Sequence, residues 1–233
     1  MTKIPLVFVV LLASAHAFDS SSSSESCEGS DEGHGHGGGH GGGGGRPRPG
    51  NGGGNGGCGA GWKRFNRPSG GWCIRVYGGI LDQSVAESQC QSHGGLLSGV
   101  QNYEEITYIT GAALSVMPQS TGSLWIGAKR TGACSNQPLT ATCTATNSFY
   151  WTDGSASGVA GWVWDPSKQP DNAHGRTQQC VILLAAASST VSVGTATWAA
   201  NHLDDVSCSQ VGMAPVSTRK VVGYVCGKRP RRN

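Results

Sequence analysis

The sequence contains no Cys-x-x-Cys pair, no Gly-x-Ser-x-Gly turn, no Asn-x-Ser/Thr triplet and no late apolar run of bilayer length. Each absence removes a class of protein. Without closely paired cysteines, a zinc ribbon or a thioredoxin-type centre has no foothold. Without a strained nucleophile turn, His202 and the serines near it do not make a hydrolase, and no enzyme is expected. Without an acceptor triplet, N-linked sugars are not expected on the chain. Charge is also scarce: Asp, Glu, Lys and Arg make up 13% of residues. With no basic face containing aromatics, nucleic-acid binding is not expected.

What is present begins with a leader. Met1, Thr2 and Lys3 precede the apolar run "IPLVFVVLLASA", and Ala15, His16 and Ala17 form a small-x-small cleavage pattern. Residues 1–17 read as a secretory signal peptide. The run is shorter than the ~20 residues a membrane span needs, so a secreted, extracellular protein with no membrane span is expected. Nine cysteines agree with that compartment, where thiols persist as disulfides. Spacing alone does not pair them. Eight lie from Cys58 onward, and the ninth, Cys27, stands apart, which suits a disulfide-linked homodimer.

Residues 18–57 are rich in Ser, then in Gly and His ("GHGHGGGHGGGGG"). Such a segment buries too little apolar surface to offset its chain entropy, so a flexible linker is expected. His34, His36 and His40 offer metal chelation, but ordering that backbone would be costly. The end of the chain, with a basic tail at 229–233, is either a solvated terminus or a contact for acidic glycans.

Residues 58–228 bring tryptophans, apolar runs and cysteines together and read as one domain. In "LDQSVAESQCQSHG", Ser84 and Glu87 stand at capping-box spacing, Ala86 and Cys90 share a helical face, and Gly94 ends the pattern. "QNYEEITYITGAALSVMP" repeats the device with Asn102 and Glu105, followed by Ile106, Ile109 and Ala113, with Pro118 as the stop. After these helices, "SLWIGAKR", "SFYWTDG", "GWVW", "CVILLA" and "VVGYVCG" read as strands. Helices first and short strands later predict an α+β domain with antiparallel sheets. Loop dominates from Gly127 to Asp205, and long loops stapled by cysteines favour function.

The order of a helix cysteine, "LWIGA", "QPDN", "CVIL", "DDVSC" and "GYVCGK" resembles a C-type lectin-like domain across 58–228. The resemblance implies that fold and four disulfides: Cys58–Cys73 for the long-form hairpin, Cys90–Cys226, Cys180–Cys208 and, left to each other, Cys134–Cys143. It also implies a cis peptide bond before Pro170. Trp198 then reads as a core tryptophan displaced from "DD" by the insertion "AANHL".

The same resemblance gives the long loop a chemistry. Calcium takes six to eight oxygen ligands at irregular angles. The implied cage is Gln169, Asp171, Gln178, Asp204 and Asp205, with the Asp205 carbonyl as a further donor. Gln178 stands where the family commonly has a glutamate, and Asp204 restores that charge. Weak binding is expected, in the ~10⁻⁴–10⁻³ M range of extracellular modules. The five residues would also hold vicinal hydroxyls of a carbohydrate, and the Gln-Pro-Asp order goes with galactose-type sugars. Galactose binders of the family place an aromatic ring after that motif, whereas Ala173 and His174 follow here. Trp162, Trp164 and His174 are the candidate substitutes, and the two tryptophans read better as packing residues. The expected function is calcium-dependent recognition of cell-surface or microbial glycans. The alternative is a calcium-independent domain of the same fold that binds protein or another non-sugar ligand.

Overall fold

The computed structural model describes residues 57–209 and 217–231. The leader, Cys27, the three linker histidines and the last two residues of the tail lie outside the described residues. The elements are β1 (Lys63–Arg67), β2 (Gly70–Gly78), α1 (Gln83–Ser92), β3 (Leu96–Leu97), α2 (Tyr103–Ala113), β4 (Thr121–Arg130), β5 (Phe149–Trp151), α3 (Ala173–Arg176), β6 (Cys180–Ala186), β7 (Thr190–Val193), β8 (Ala196–Ala199), β9 (Leu203–Val206) and β10 (Val221–Lys228). The main sheet runs β1-β2-β10-β4-β6-β9, with β3 added to β10 and β5 to β4, while β7 and β8 form a separate hairpin.

The α+β class is as expected, with one departure. β10 pairs with β4 in parallel, because a parallel neighbour requires a long crossover, and the chain from 131 to 220 supplies one. The other sheet pairings are antiparallel.

The middle strands read as unbroken apolar runs because both faces of the sheet are covered. Leu124, Ile126 and Ala128 of β4 join Val181 and Leu183 of β6 in one cluster, which takes Ile106, Ile109 and Ala113 from α2. The intervening Trp125 and Ile182 face the other way, into a second cluster with Ala86 and Cys90 of α1. Alternation exists, but both sets of positions are buried.

Helix α2 starts as its sequence dictates, the Glu105 N–H donating to Asn102 Oδ1 at 3.1 Å. It ends at Ala113 rather than running to Pro118, because Val116 and Met117 both turn back to the Ala113 carbonyl. Helix α1 differs more. Asp82 occupies the N-cap without a side-chain capping bond, its carboxylate accepting from the Ser209 hydroxyl instead, and Glu87 accepts from the Leu97 N–H at 2.8 Å. The Ser84 capping box is replaced by a tie between α1 and β3.

"GWVW" is not a strand. Trp162 stacks between Trp151 and Trp164, with centroids 3.5 and 5.6 Å away, and Trp164 Nε1 donates to the Ala145 carbonyl at 2.7 Å. These rings pack, partly buried, on the first cluster. A buried ionic triad lies close to the Trp151 ring: Arg67 meets Glu105 at 2.7 Å and Asp153 at 2.8 Å.

Four disulfides join Cys58 to Cys73, Cys90 to Cys226, Cys134 to Cys143 and Cys180 to Cys208, the pairs implied by the resemblance. The described part of the basic C-terminal stretch is packed rather than free. The Arg231 N–H donates to the Gly57 carbonyl at 2.9 Å, and Lys228 Nζ lies 3.9 Å above the Trp62 ring. No helix among the described residues is long and apolar enough to cross a membrane.

Candidate functional site

The loop between β5 and β6 doubles back at Gln169–Pro170, whose peptide bond is cis. Beyond it the backbone is fixed by its own side chains. The Asp171 N–H donates to Gln169 Oε1 at 3.0 Å, the Ala173 N–H to Asp171 Oδ1 at 3.0 Å and also to Gln178 Oε1. Asn172 sits in the left-handed region, φ 48°, which asparagine tolerates, and is fully buried. Its amide donates to the carbonyls of Ser135 and Gln137, both at 3.0 Å, and its Oδ1 accepts from the Gln178 N–H at 3.2 Å. Asn172 therefore hangs the long loop from the Cys134–Cys143 loop.

The result is a pocket of about 430 Å³ bounded by the long loop, β9 and the β7–β8 hairpin. Gln169, Asp171, His174, Gln178 and Asp204 all line it, so five of the six sequence-expected site residues meet at one cavity. Asp205 does not line it. Its side chain is fully buried and ion-paired with Arg130, while its oxygens accept from the Asp171 N–H at 3.0 Å and the Asn172 N–H at 2.9 Å. The backbone of Asp205 belongs to the β6–β9 ladder, opposite Val181.

Three pocket or support residues were missed by sequence reading. Arg130, at the end of β4, pairs with Asp205, donates to the Gln178 carbonyl at 2.8 Å and stacks on Phe149 at 4.4 Å. Arg219 pairs with Asp204, and its guanidinium lies 3.3 Å from the Trp198 ring centroid. Trp198 is thus a pocket wall on β8, half-buried, and not a core residue. Arg130 reaches its aspartate from 75 positions away and Arg219 from 15, separations that no local pattern announces.

Electrostatics follow from this burial. Removal from water raises the Asp204 carboxyl from its ordinary 3.8 to about 7; Arg219 opposes the shift, while Asp205 and Asp171 add to it. Burial also raises Asp205, against the pull of Arg130 and of the Asn172 N–H.

The donor set does not suit the calcium ion implied by the resemblance. Asp205 directs its oxygens to Arg130 and two backbone N–H groups. Gln169 and Gln178 turn their amide oxygens to backbone N–H groups as well. Asp204 faces a guanidinium. The three carboxylates Asp171, Asp204 and Asp205 share their neighbourhood with three guanidinium groups, those of Arg130, Arg176 and Arg219, so no net negative charge remains for a divalent ion, which prefers several carboxylates. No group of three or more acidic, histidine or cysteine side chains converges as a metal cluster among the described residues.

A family profile described as C-type lectin domain-containing protein 141/158 matches residues 63–229, and the chain belongs to the C-type lectin domain family. The family and its relatives below are lectins rather than enzymes. The chain is 32% identical over 106 residues to an alpha-N-acetylgalactosamine-specific lectin of Patiria pectinifera, covering 44% of this chain and 54% of the relative; it thus spans about half of that relative's length. The carbohydrate-recognition domain of mouse scavenger receptor C-type lectin is 20% identical, covering 75% of this chain and 100% of its own, with a TM-score of 0.46. The calcium-independent C-type lectin SPL-2 from Saxidomus purpuratus is 20% identical over 73% of this chain and 93% of its own, with a TM-score of 0.45.

Proposed function

We propose that this chain is a secreted carbohydrate-binding protein, that its lectin domain occupies 58–228, and that the long-loop pocket is its sugar site. The observation that carries this reading is the convergence of Gln169, Asp171, His174, Gln178 and Asp204 on one cavity from two separate stretches of chain. Amides and carboxylates in a concave site are the groups that hydrogen-bond sugar hydroxyls. The Gln169-Pro170-Asp171 order supports a galactose-type preference, as does the specificity named for the Patiria relative. The role is recognition of cell-surface or microbial glycans bearing such sugars.

One monosaccharide in an open site binds at roughly millimolar Kd, about 4 kcal/mol. Useful avidity then requires more than one site, which a Cys27-linked dimer would provide. The test is isothermal titration with N-acetylgalactosamine, galactose and mannose, on wild type and Asp171→Ala. Saturable binding of the first two, weakened in the variant, is the expected result. Heat of dilution alone for all three would overturn the reading and leave the domain to a non-sugar ligand.

A further inference from the structure

We propose that the domain carries a second ligand site, a cationic cleft around Lys228 that binds a sulfated polysaccharide. The cleft shares no lining residue with the long-loop pocket and does not depend on the reading of that pocket. Its cations are built into the sheet. Arg75 of β2 stands opposite Cys226, and Lys228 of β10 stands opposite Cys73. Because strand side chains alternate, Arg75 and Lys228 project from one face of the β2–β10 pair. The Cys58–Cys73 bridge ties the turn at 57–60 to β2, and the Arg231 N–H donates to the Gly57 carbonyl at 2.9 Å, which brings Arg231 to the same turn.

Two cavities share Lys228. One, of about 390 Å³, lies between the turn at 57–60, Trp62, Lys228 and Arg231. The other, of about 350 Å³, is bordered by Lys228, Arg229 and the backbone at Gly94, Gly95 and Gly227. Each cavity adds an arginine of its own to the lysine they share, so a linear ligand can set successive anionic groups against all three.

These charges are uncompensated. Among the described residues none of Arg75, Lys228, Arg229 and Arg231 has an ion-pair partner, whereas Arg67, Arg130 and Arg219 each meet a carboxylate. The carboxylate at the second cavity, Asp153, is already held by Arg67 and by the Gly99 N–H, each at 2.8 Å. Lys228 Nζ is fixed in place, donating to the His93 carbonyl at 3.2 Å and lying 3.9 Å above the Trp62 ring. Burial lowers the pKa of its ammonium group, and the charges of Arg231 and Arg75 lower it further. Cations gathered in this way repel one another and raise the local concentration of anions.

The lining selects among polyanions. A sulfate ester presents more acceptor oxygens than a carboxylate, so an ammonium and a guanidinium group can share one. A nucleic acid needs aromatic faces on which bases stack, but Trp62 and Trp72 are buried, 5% and 3% exposed, and Lys228 covers the Trp62 ring. A membrane surface needs apolar side chains to insert, and none of the exposed large apolar residues borders either cavity.

The test is titration of the full chain with heparin, with chemically desulfated heparin and with duplex DNA, at low and at high salt. Saturable heparin binding that weakens with salt is expected, with little binding of the other two. Lys228→Gln/Arg231→Gln should lose about tenfold in heparin affinity or more, while N-acetylgalactosamine binding stays as in wild type. Arg229→Gln/Arg231→Gln, in which both side chains are exposed, serves if the first variant fails to fold, with the same expected loss. Lys168→Gln/Lys220→Gln removes equal charge elsewhere and should bind heparin as wild type does. Equal loss in the cleft and control variants would show an effect of net charge alone and overturn the site. Desulfated heparin or DNA binding as tightly as heparin would overturn the ligand class, and no heparin binding at low salt would overturn the proposal while leaving the long-loop reading untouched.

Discussion

Arg130 and Asp205 form an ion pair in which neither side chain exposes any surface. Asp205 also accepts the Asp171 and Asn172 N–H groups, so this one carboxylate ties β4, β9 and the long loop together. Removing one partner of a buried pair leaves an uncompensated charge, which costs about 3–5 kcal/mol. Asp205→Ala should therefore lower the midpoint of chemical denaturation by a matching amount. A midpoint within error of wild type would show that the pair contributes no net stability.

Asn172 makes three side-chain hydrogen bonds from a left-handed backbone. Asn172→Gly keeps the backbone conformation accessible and deletes the bonds. Each buried group left unpaired costs about 1–3 kcal/mol. Amide exchange across 165–179 should accelerate in this variant while exchange in α2 stays slow. Uniform acceleration would mean that the residue supports the whole domain and not the loop.

Gly127 stands in "LWIGA" where a Cβ would lie 2.0 Å from the Leu97 carbonyl oxygen. Neither backbone can yield, because the Gly127 N–H donates to the Ser98 carbonyl at 2.7 Å. Gly127→Ala should cost several kcal/mol, on the order of other overpacked core substitutions, and abolish soluble expression or drop Tm sharply. Gly111→Ala, where a Cβ meets nothing, is the control and should be neutral or better.

The raised Asp204 carboxyl makes stability depend on pH. Its folded value of about 7 exceeds its ordinary 3.8, so the folded state binds the proton more tightly. That contribution is fully present below about pH 4 and is lost as pH rises through about 7. The groups acting on it are Arg219, which lowers it, and Asp205 and Asp171, which raise it. Asp204→Asn should flatten the fall in Tm between about pH 4 and 7. An unchanged pH profile would show that another group sets it.

Much of the architecture was legible because it rests on local chemistry. Asn102 caps α2, Ile106, Ile109 and Ala113 keep helical spacing, and "CVILLA" and "VVGYVCG" are strands. "GWVW" misleads because an aromatic run looks the same whether its rings stack on one another or alternate across a pleat. Glu87 misleads because its carboxylate is claimed by Leu97, which is near in sequence but on another element. The pocket residues Gln169, Asp171, Gln178 and Asp204 were legible from the family order, but their partners were not. A carboxylate poised for an ion and one neutralised by an arginine are the same letter, and only the fold brings Arg130 to Asp205 and Arg219 to Asp204.

The suspension of Asn172 from Ser135 and Gln137 makes the small ring closed by Cys134 and Cys143, only 9 positions apart, the footing on which the long-loop cavity stands. Neither cysteine touches that cavity, yet a reductant acting on this bridge alone would unsettle the ligand contacts while the bonds that staple the main sheet stayed intact. The shortest of the four disulfide loops, with both cysteines buried, thus carries the loop that shapes the pocket.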